Sequence, residues 1–216
     1  KELPKMFNVD GTKVSNPLEI ANGFNKFFSE IGSKLSQKIP QGTKNVRDYL
    51  PGQRAKNNFF MFPATPQEVE TTVSRLKNKT SSGNDGISSS LLKQTYKPIL
   101  HVLVHLMNVS FQNGVVPLKM KIAKVIPIYK GNEHDIFNNY RPISLLVAIS
   151  KILERLVFNR LYSFCIKHKI LSKSQYGFRE NLSTEMAIIE LQNCIAENIV
   201  KKLWSIGIFL DLSKAF

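Results

Sequence analysis

The chain has 216 residues, 43% of them hydrophobic and 14 of them Phe, which suits one or two domains with a packed core and argues against a disordered polypeptide. Lys and Arg outnumber Asp and Glu by 30 to 16, and the resulting charge of +14 implies a polyanionic partner, because each phosphate neutralised releases counterions. The apolar stretches are broken at Lys151, Glu154 and Arg155 and no Lys/Arg stripe carries Trp anchors, so no membrane role is read; two cysteines without CxxC spacing, Cys165 and Cys194, read as reduced core residues rather than zinc ligands.

Residues 7 to 14 read as a short hairpin turning at Asp10-Gly11. Asn16, Pro17 and Glu19 then give an N-cap, a proline at the first helical position and an acid in the first turn. The helix they start carries Leu18, Phe24, Phe27, Phe28, Ile31 and Leu35 at near-helical spacing, a packing face. Residues 40 to 60 read as a linker. Thr65-Pro66-Gln67-Glu68 is a capping box for a helix with Val69, Val73 and Leu76 inside, and a polar loop with glycines follows from Lys77 to Gly86.

Two or three helical segments are expected over 88 to 112, ended by Asn113-Gly114 and Pro117. Val125 to Tyr129 reads as an edge strand because of Pro127, with Ile143 to Leu146 as its partner. Ser150 reads as the cap of a helix reaching about His168, and Thr184 to about Lys201 as a further helix. The Ile- and Leu-rich run from Ser205 to Leu210 reads as a buried strand ending on Asp211. No opening signal peptide is present, and Lys1 at the start suggests a piece of a longer polyprotein.

A carboxylate at the carboxyl end of a core strand can hold a metal ion against a triphosphate, whereas the plainer reading of Asp211 is a helix N-cap or a turn acid. Lys119, Lys121, Lys124, Lys130 and Arg141 bracket the expected strand pair. Two basic side chains on a hairpin can close over phosphates, Lys as a point charge and Arg as a planar fork; a solvated basic hairpin is the alternative. The Ser81 to Gly86 loop lacks P-loop spacing, since Lys79 precedes its glycines. Gln175 to Arg179 followed by Ser183 reads as a loop entering a helix, where Gly177 admits close backbone approach and Arg179 can reach a phosphate; Tyr176 and Phe178 there also suit a packed aromatic corner. His101, His105, His134 and His168 have no triad-like or metal-like company.

Three blocks in order, Tyr140-Arg141-Pro142-Ile143-Ser144-Leu145-Leu146, Gln175-Tyr176-Gly177-Phe178-Arg179 and Phe209-Leu210-Asp211-Leu212-Ser213-Lys214-Ala215-Phe216, resemble the reverse transcriptase of non-LTR (LINE-type) retrotransposons. The resemblance runs from about Lys77, with a weaker likeness at Asn22 to Phe28. It implies an α/β, right-hand polymerase-like fold, incomplete here. The implied parts are a helical N-terminal extension and linker over 1–62, a fingers-like part over 63–204 and the start of the palm over 205–216.

The resemblance further implies RNA-directed DNA synthesis on an RNA template and DNA primer with deoxynucleoside triphosphates. Two divalent cations, expected to be Mg²⁺, would serve it, and Asp211 is both the catalytic residue and the one metal ligand present. It places Lys130, Arg141, Leu212 and Phe216 at the incoming nucleotide, with Phe216 beneath the sugar. Lys79, Gly83, Gly86, Gln175, Gly177 and Arg179 fall near the template; Thr80 departs from the family's commoner serine. A nuclear and cytoplasmic location is expected, and the fragment alone is expected to be inactive because the second catalytic block and the thumb are not seen. The reading from a different class is a non-catalytic nucleic-acid-binding module, or a truncated retroelement-derived protein.

Overall fold

The computed structural model describes residues 4–9, 11–40, 42–49 and 57–211. It opens on an antiparallel hairpin of β1 (Phe7–Val9) and β2 (Thr12–Val14), paired Phe7 to Val14. Gly11 at φ 89° makes the turn, and its N–H donates to Asn8 Oδ1 at 3.0 Å. Helix α1 (Pro17–Ser36) starts where the sequence signals it: Asn16 Oδ1 accepts the Leu18 N–H at 2.9 Å, satisfying one of the orphan donors of the first turn. Helix α2 (Pro66–Ser74) is capped by Thr65, whose Oγ1 accepts from the Glu68 N–H.

Helix α3 (Ser89–Asn113) is one continuous helix rather than the expected two or three segments. Pro98 lies inside it, but Leu92, Tyr96, Leu103 and Met107 are buried along one stripe on both sides of the proline, and that burial outweighs the missing backbone bond. Gly114 ends the helix in the left-handed region at φ 63°. A short helix α4 (Leu118–Lys121) leads to β3 (Lys124–Tyr129), which pairs antiparallel with β4 (Tyr140–Leu145). Helix α5 (Ala148–Lys167) begins two residues before the expected cap. Ser150 is buried inside it and donates its Oγ–H to the Met120 carbonyl at 2.7 Å, so it ties α4 to α5 rather than capping. Helix α6 (Thr184–Val200) is capped by Ser183, as expected.

The chain divides into compact units of residues 1–160 and 161–216, a partition different from the expected 1–62, 63–204 and 205–216. The first unit holds both cores. The larger joins Val69, Val73, Leu92, Met107, Ile152 and Leu156 between α2, α3 and α5. Arg160 fastens this packing from the side: its guanidinium donates to both Glu68 carboxylate oxygens, at 2.6 and 2.8 Å, and to the Phe62 carbonyl at 3.0 Å. Such a two-pronged bond fixes orientation as well as distance. The smaller core is aromatic and joins α1 to the second hairpin.

In the second unit the run 205–211 does not form the expected strand; it carries no regular secondary structure, and Ile206, Ile208, Phe209 and Leu210 are all exposed. A strand needs a neighbour for its N–H and C=O groups, and no described residue supplies one. Cys194 is exposed on α6 rather than buried, and Cys165 is half-buried.

Candidate nucleotide and nucleic-acid interface

The β3–β4 hairpin pairs Ile128 with Arg141 and Tyr129 with Tyr140. Because side chains alternate across a pleat, Arg141 shares a face with Ile128, Ile126 and Lys124. Lys130 follows β3 directly, and its N–H donates to the Asn139 carbonyl at 2.8 Å, so the pairing runs one step beyond the strand. The same alternation puts Lys130 on the face of Arg141. Both are exposed, and neither has a carboxylate partner among the described residues. Lys119, Lys121 and Lys124 are also exposed.

The connection between the strands is bound to itself. Tyr129 Oη donates to the Asn132 carbonyl, Asn139 Nδ2 to the Glu133 carbonyl at 2.9 Å, and Tyr140 Oη to the His134 carbonyl at 2.7 Å. The Tyr129 and His134 rings stack at 3.9 Å. Burial, and then the nearby Tyr129 and Asp135, push the Tyr140 phenol above its ordinary pKa, so the hydroxyl stays a donor well into alkaline solution.

Behind this hairpin sits the aromatic core. Phe24 of α1 lies 4.5 Å from Phe137 and 5.1 Å from Tyr140, centroid to centroid, and Phe7 stacks on Phe137 at 5.3 Å. The Asn8 N–H adds a bond to the Asp135 carbonyl at 3.0 Å. The N-terminal hairpin and α1 thus hold the back of the element whose front carries Arg141 and Lys130. Sequence inspection reads Phe24 only as packing; the one local sign of this arrangement is an aromatic, Tyr140, directly before Arg141.

The Lys77–Gly86 loop closes on itself through Ile87 N–H to Asp85 Oδ1 at 3.0 Å and a bridge between Ser82 and Ser88. Gly83 is buried, and a Cβ there would lie 2.7 Å from the Val147 nitrogen and 2.8 Å from the Leu146 carbonyl carbon. At Gly83 the close approach is made by the chain itself, just after β4. Gly86, at φ 73°, is exposed, and so is Lys79. Gly83→Ala should lower stability by about 1–3 kcal/mol, since backbone rather than a flexible side chain must move; a melting temperature unchanged from the parent would contradict this close approach.

In the second unit, Gln175 Nε2 donates to the Gly177 carbonyl at 3.3 Å, and Arg179 Nη1 to the Ser172 carbonyl at 2.9 Å. Arg179 is thus folded onto its own loop, with a buried Nε that finds no partner, instead of reaching outward. Phe178 is 91% exposed, in the left-handed region at φ 62°. Asp211 is exposed. Its carboxylate is the hard oxygen donor Mg²⁺ takes, yet no group of three His, Cys, Asp or Glu side chains able to hold a metal occurs among the described residues. Leu212 and Phe216 lie outside the described residues.

The family model described as reverse transcriptase (RNA-dependent DNA polymerase) matches residues 128–216. The RNA-directed DNA polymerase from mobile element jockey of Drosophila melanogaster is 31% identical over 174 residues, 80% of this chain and 19% of the relative. Its counterpart from Drosophila funebris is 32% identical over 155 residues, 71% of this chain and 17% of the relative. A protein of the X-element transposon of Drosophila melanogaster aligns at 29% identity over 208 residues, 96% of this chain and 23% of the relative. The chain carries reverse transcriptase sequence of the non-LTR type. It spans about a fifth of the length of these relatives.

The reverse transcriptase match opens at Ile128, the residue paired with Arg141, and runs through α5 and α6 to the segment that holds Asp211. The X-element relative extends the likeness across 96% of the chain, α1 included. The mixed helix and strand content agrees with such a domain. No helix among the described residues is long and apolar enough to cross a membrane.

Proposed function

We propose that the chain contributes the nucleotide-clamping and template-facing part of an RNA-directed DNA polymerase of a non-LTR retrotransposon. Its substrates would be an RNA template, a DNA primer and deoxynucleoside triphosphates. The observation that carries this reading is a pair of cations, Arg141 and Lys130, without a carboxylate partner among the described residues, on one face of a hairpin that is braced from behind. Chain extension forms a bond from the primer 3′-oxygen to the α-phosphorus and breaks the bond to pyrophosphate. Negative charge collects on the departing oxygens, and a guanidinium and an ammonium held against them lower that barrier. Their preorganisation matters because a clamp that must first order itself loses part of what it contributes.

Asp211 is the residue that would hold Mg²⁺, together with carboxylates supplied from elsewhere in the polymerase. The ion, when bound, neutralises triphosphate charge. The right-hand arrangement of fingers and palm belongs to this same proposal. In an active polymerase containing this segment, Arg141→Ala should raise the KM for nucleotide roughly ten-fold or more while template affinity changes little, the pattern of a group that binds the triphosphate. Lys130→Ala should act in the same direction and more mildly. A variant with a lowered melting temperature and normal kinetics per folded molecule would remove the clamp.

A further inference from the structure

A second basic surface lies on the first unit, away from the hairpin motif. A cleft of about 1000 Å³ runs between α2 with the chain after it and α5. Arg75, Lys77 and Lys79 line one wall, and Lys151 and Arg155 the other. The last two are four residues apart on α5, so they project one above the other with about 6 Å of rise between them. None of the five cations has a carboxylate within ion-pair distance among the described residues. Two acids enter the cleft. Glu68 is already bonded through both oxygens to Arg160, which leaves Glu154 as the one carboxylate against five cations.

The cleft also has an aromatic floor piece. The Arg155 guanidinium lies over the Phe158 ring at 5.4 Å from its centroid, and Phe158 is 47% exposed. A guanidinium plane and an aromatic ring at a groove are surfaces on which bases stack, while ammonium groups along the walls follow a phosphate backbone. An open trough of this size suits an extended polyanion better than a small enclosed anion. Its concave shape between two helices suits a single strand better than a duplex.

We propose that the α2–α5 cleft is a binding site for a single strand of RNA, with Lys151 and Arg155 contacting successive phosphates and the Arg155–Phe158 pair stacking a base. The inference rests on the polynucleotide partner of the proposed function but not on the nucleotide clamp. It assigns a role to Lys151, Arg155 and Phe158, which no sequence motif marks. Lys79, expected near a template on family grounds, joins the same wall.

The test is fluorescence anisotropy of labelled single-stranded RNA with the 216-residue chain, without nucleotide or metal. Lys151→Gln combined with Arg155→Gln should weaken binding and reduce the slope of log K against log salt by about 1.4, or about 0.7 for each phosphate left unneutralised on a single strand. Lys38→Gln with Lys44→Gln removes the same charge outside the cleft and should leave that slope unchanged. Equal losses from both pairs would reduce the effect to net charge and overturn the site, as would no loss from the first pair. Displacement of RNA by inorganic phosphate at matched ionic strength would mark a small-anion site instead, and equal weakening on blunt duplex RNA would contradict the single-strand assignment.

Crosslinking of thiouridine-substituted RNA to the unmutated chain gives a readout that does not depend on variant folding. Adducts on peptides of α2 and α5 are expected, and adducts confined to other segments would overturn the proposal. Because no polymerisation is measured, failure of the nucleotide clamp at Arg141 leaves these outcomes unaffected.

Discussion

Phe24→Ala is expected to destabilise the first unit by about 3–5 kcal/mol, the usual cost of removing a buried phenylalanine ring from a packed core. Phe24 is 5% exposed and meets four rings: Phe7, Phe28, Phe137 and Tyr140. It belongs to α1, whereas Phe137 and Tyr140 flank the residues that would clamp a nucleotide. The void would therefore loosen the support of the hairpin as well as lower overall stability. Denaturant unfolding should show the midpoint falling, and hydrogen exchange should show protection falling first at the β3–β4 amides. Leu18→Ala, at an exposed position of the same helix, should change stability by less than about 0.5 kcal/mol. A Phe24→Ala protein as stable as the Leu18→Ala protein would mean that α1 does not brace the hairpin.

What the sequence makes legible here is mostly local. The cap at Asn16-Pro17, the capping Thr65, the stop at Gly114 and the Ser183 cap each depend on a side chain and a backbone group a few residues apart, and all four form. The β3–β4 pairing is also visible, because two short β-rich runs bracket a polar connection. The two or three segments expected over 88 to 112 are one helix, because the buried stripe from Leu92 to Met107 continues across Pro98. The run 205–210 misleads in another way. Apolar composition encodes a tendency to burial, but a strand exists only with a partner, which no described residue provides.

Site residues divide in the same way. Arg141 and Lys130 are exposed on one face of the hairpin. Gly83, which the resemblance puts near the template, lies against the Leu146–Val147 backbone. Arg179 reads as reaching a phosphate, and its guanidinium instead closes its own loop. The aromatic support of the hairpin and the α2–α5 cleft escape sequence inspection because their members lie far apart in the chain, Phe7 from Tyr140 in the first and Thr65 from Asn159 in the second, and obey no short spacing.

The other large effect concerns Asp211. In an active polymerase that contains this segment, Asp211→Asn should abolish primer extension while leaving folding and template affinity near those of the parent. Asparagine preserves the shape of the side chain and caps a helix about as well as aspartate, but it lacks the charge that holds a hard cation. One substitution thus separates a metal ligand from a structural cap. The decisive measurement is primer extension on an RNA template by parent and Asp211→Asn enzymes at matched concentrations of folded protein. Loss of extension to background with template binding intact is the expected result; extension at a rate close to the parent's would remove Asp211 from the active site and contradict the polymerase reading of this chain.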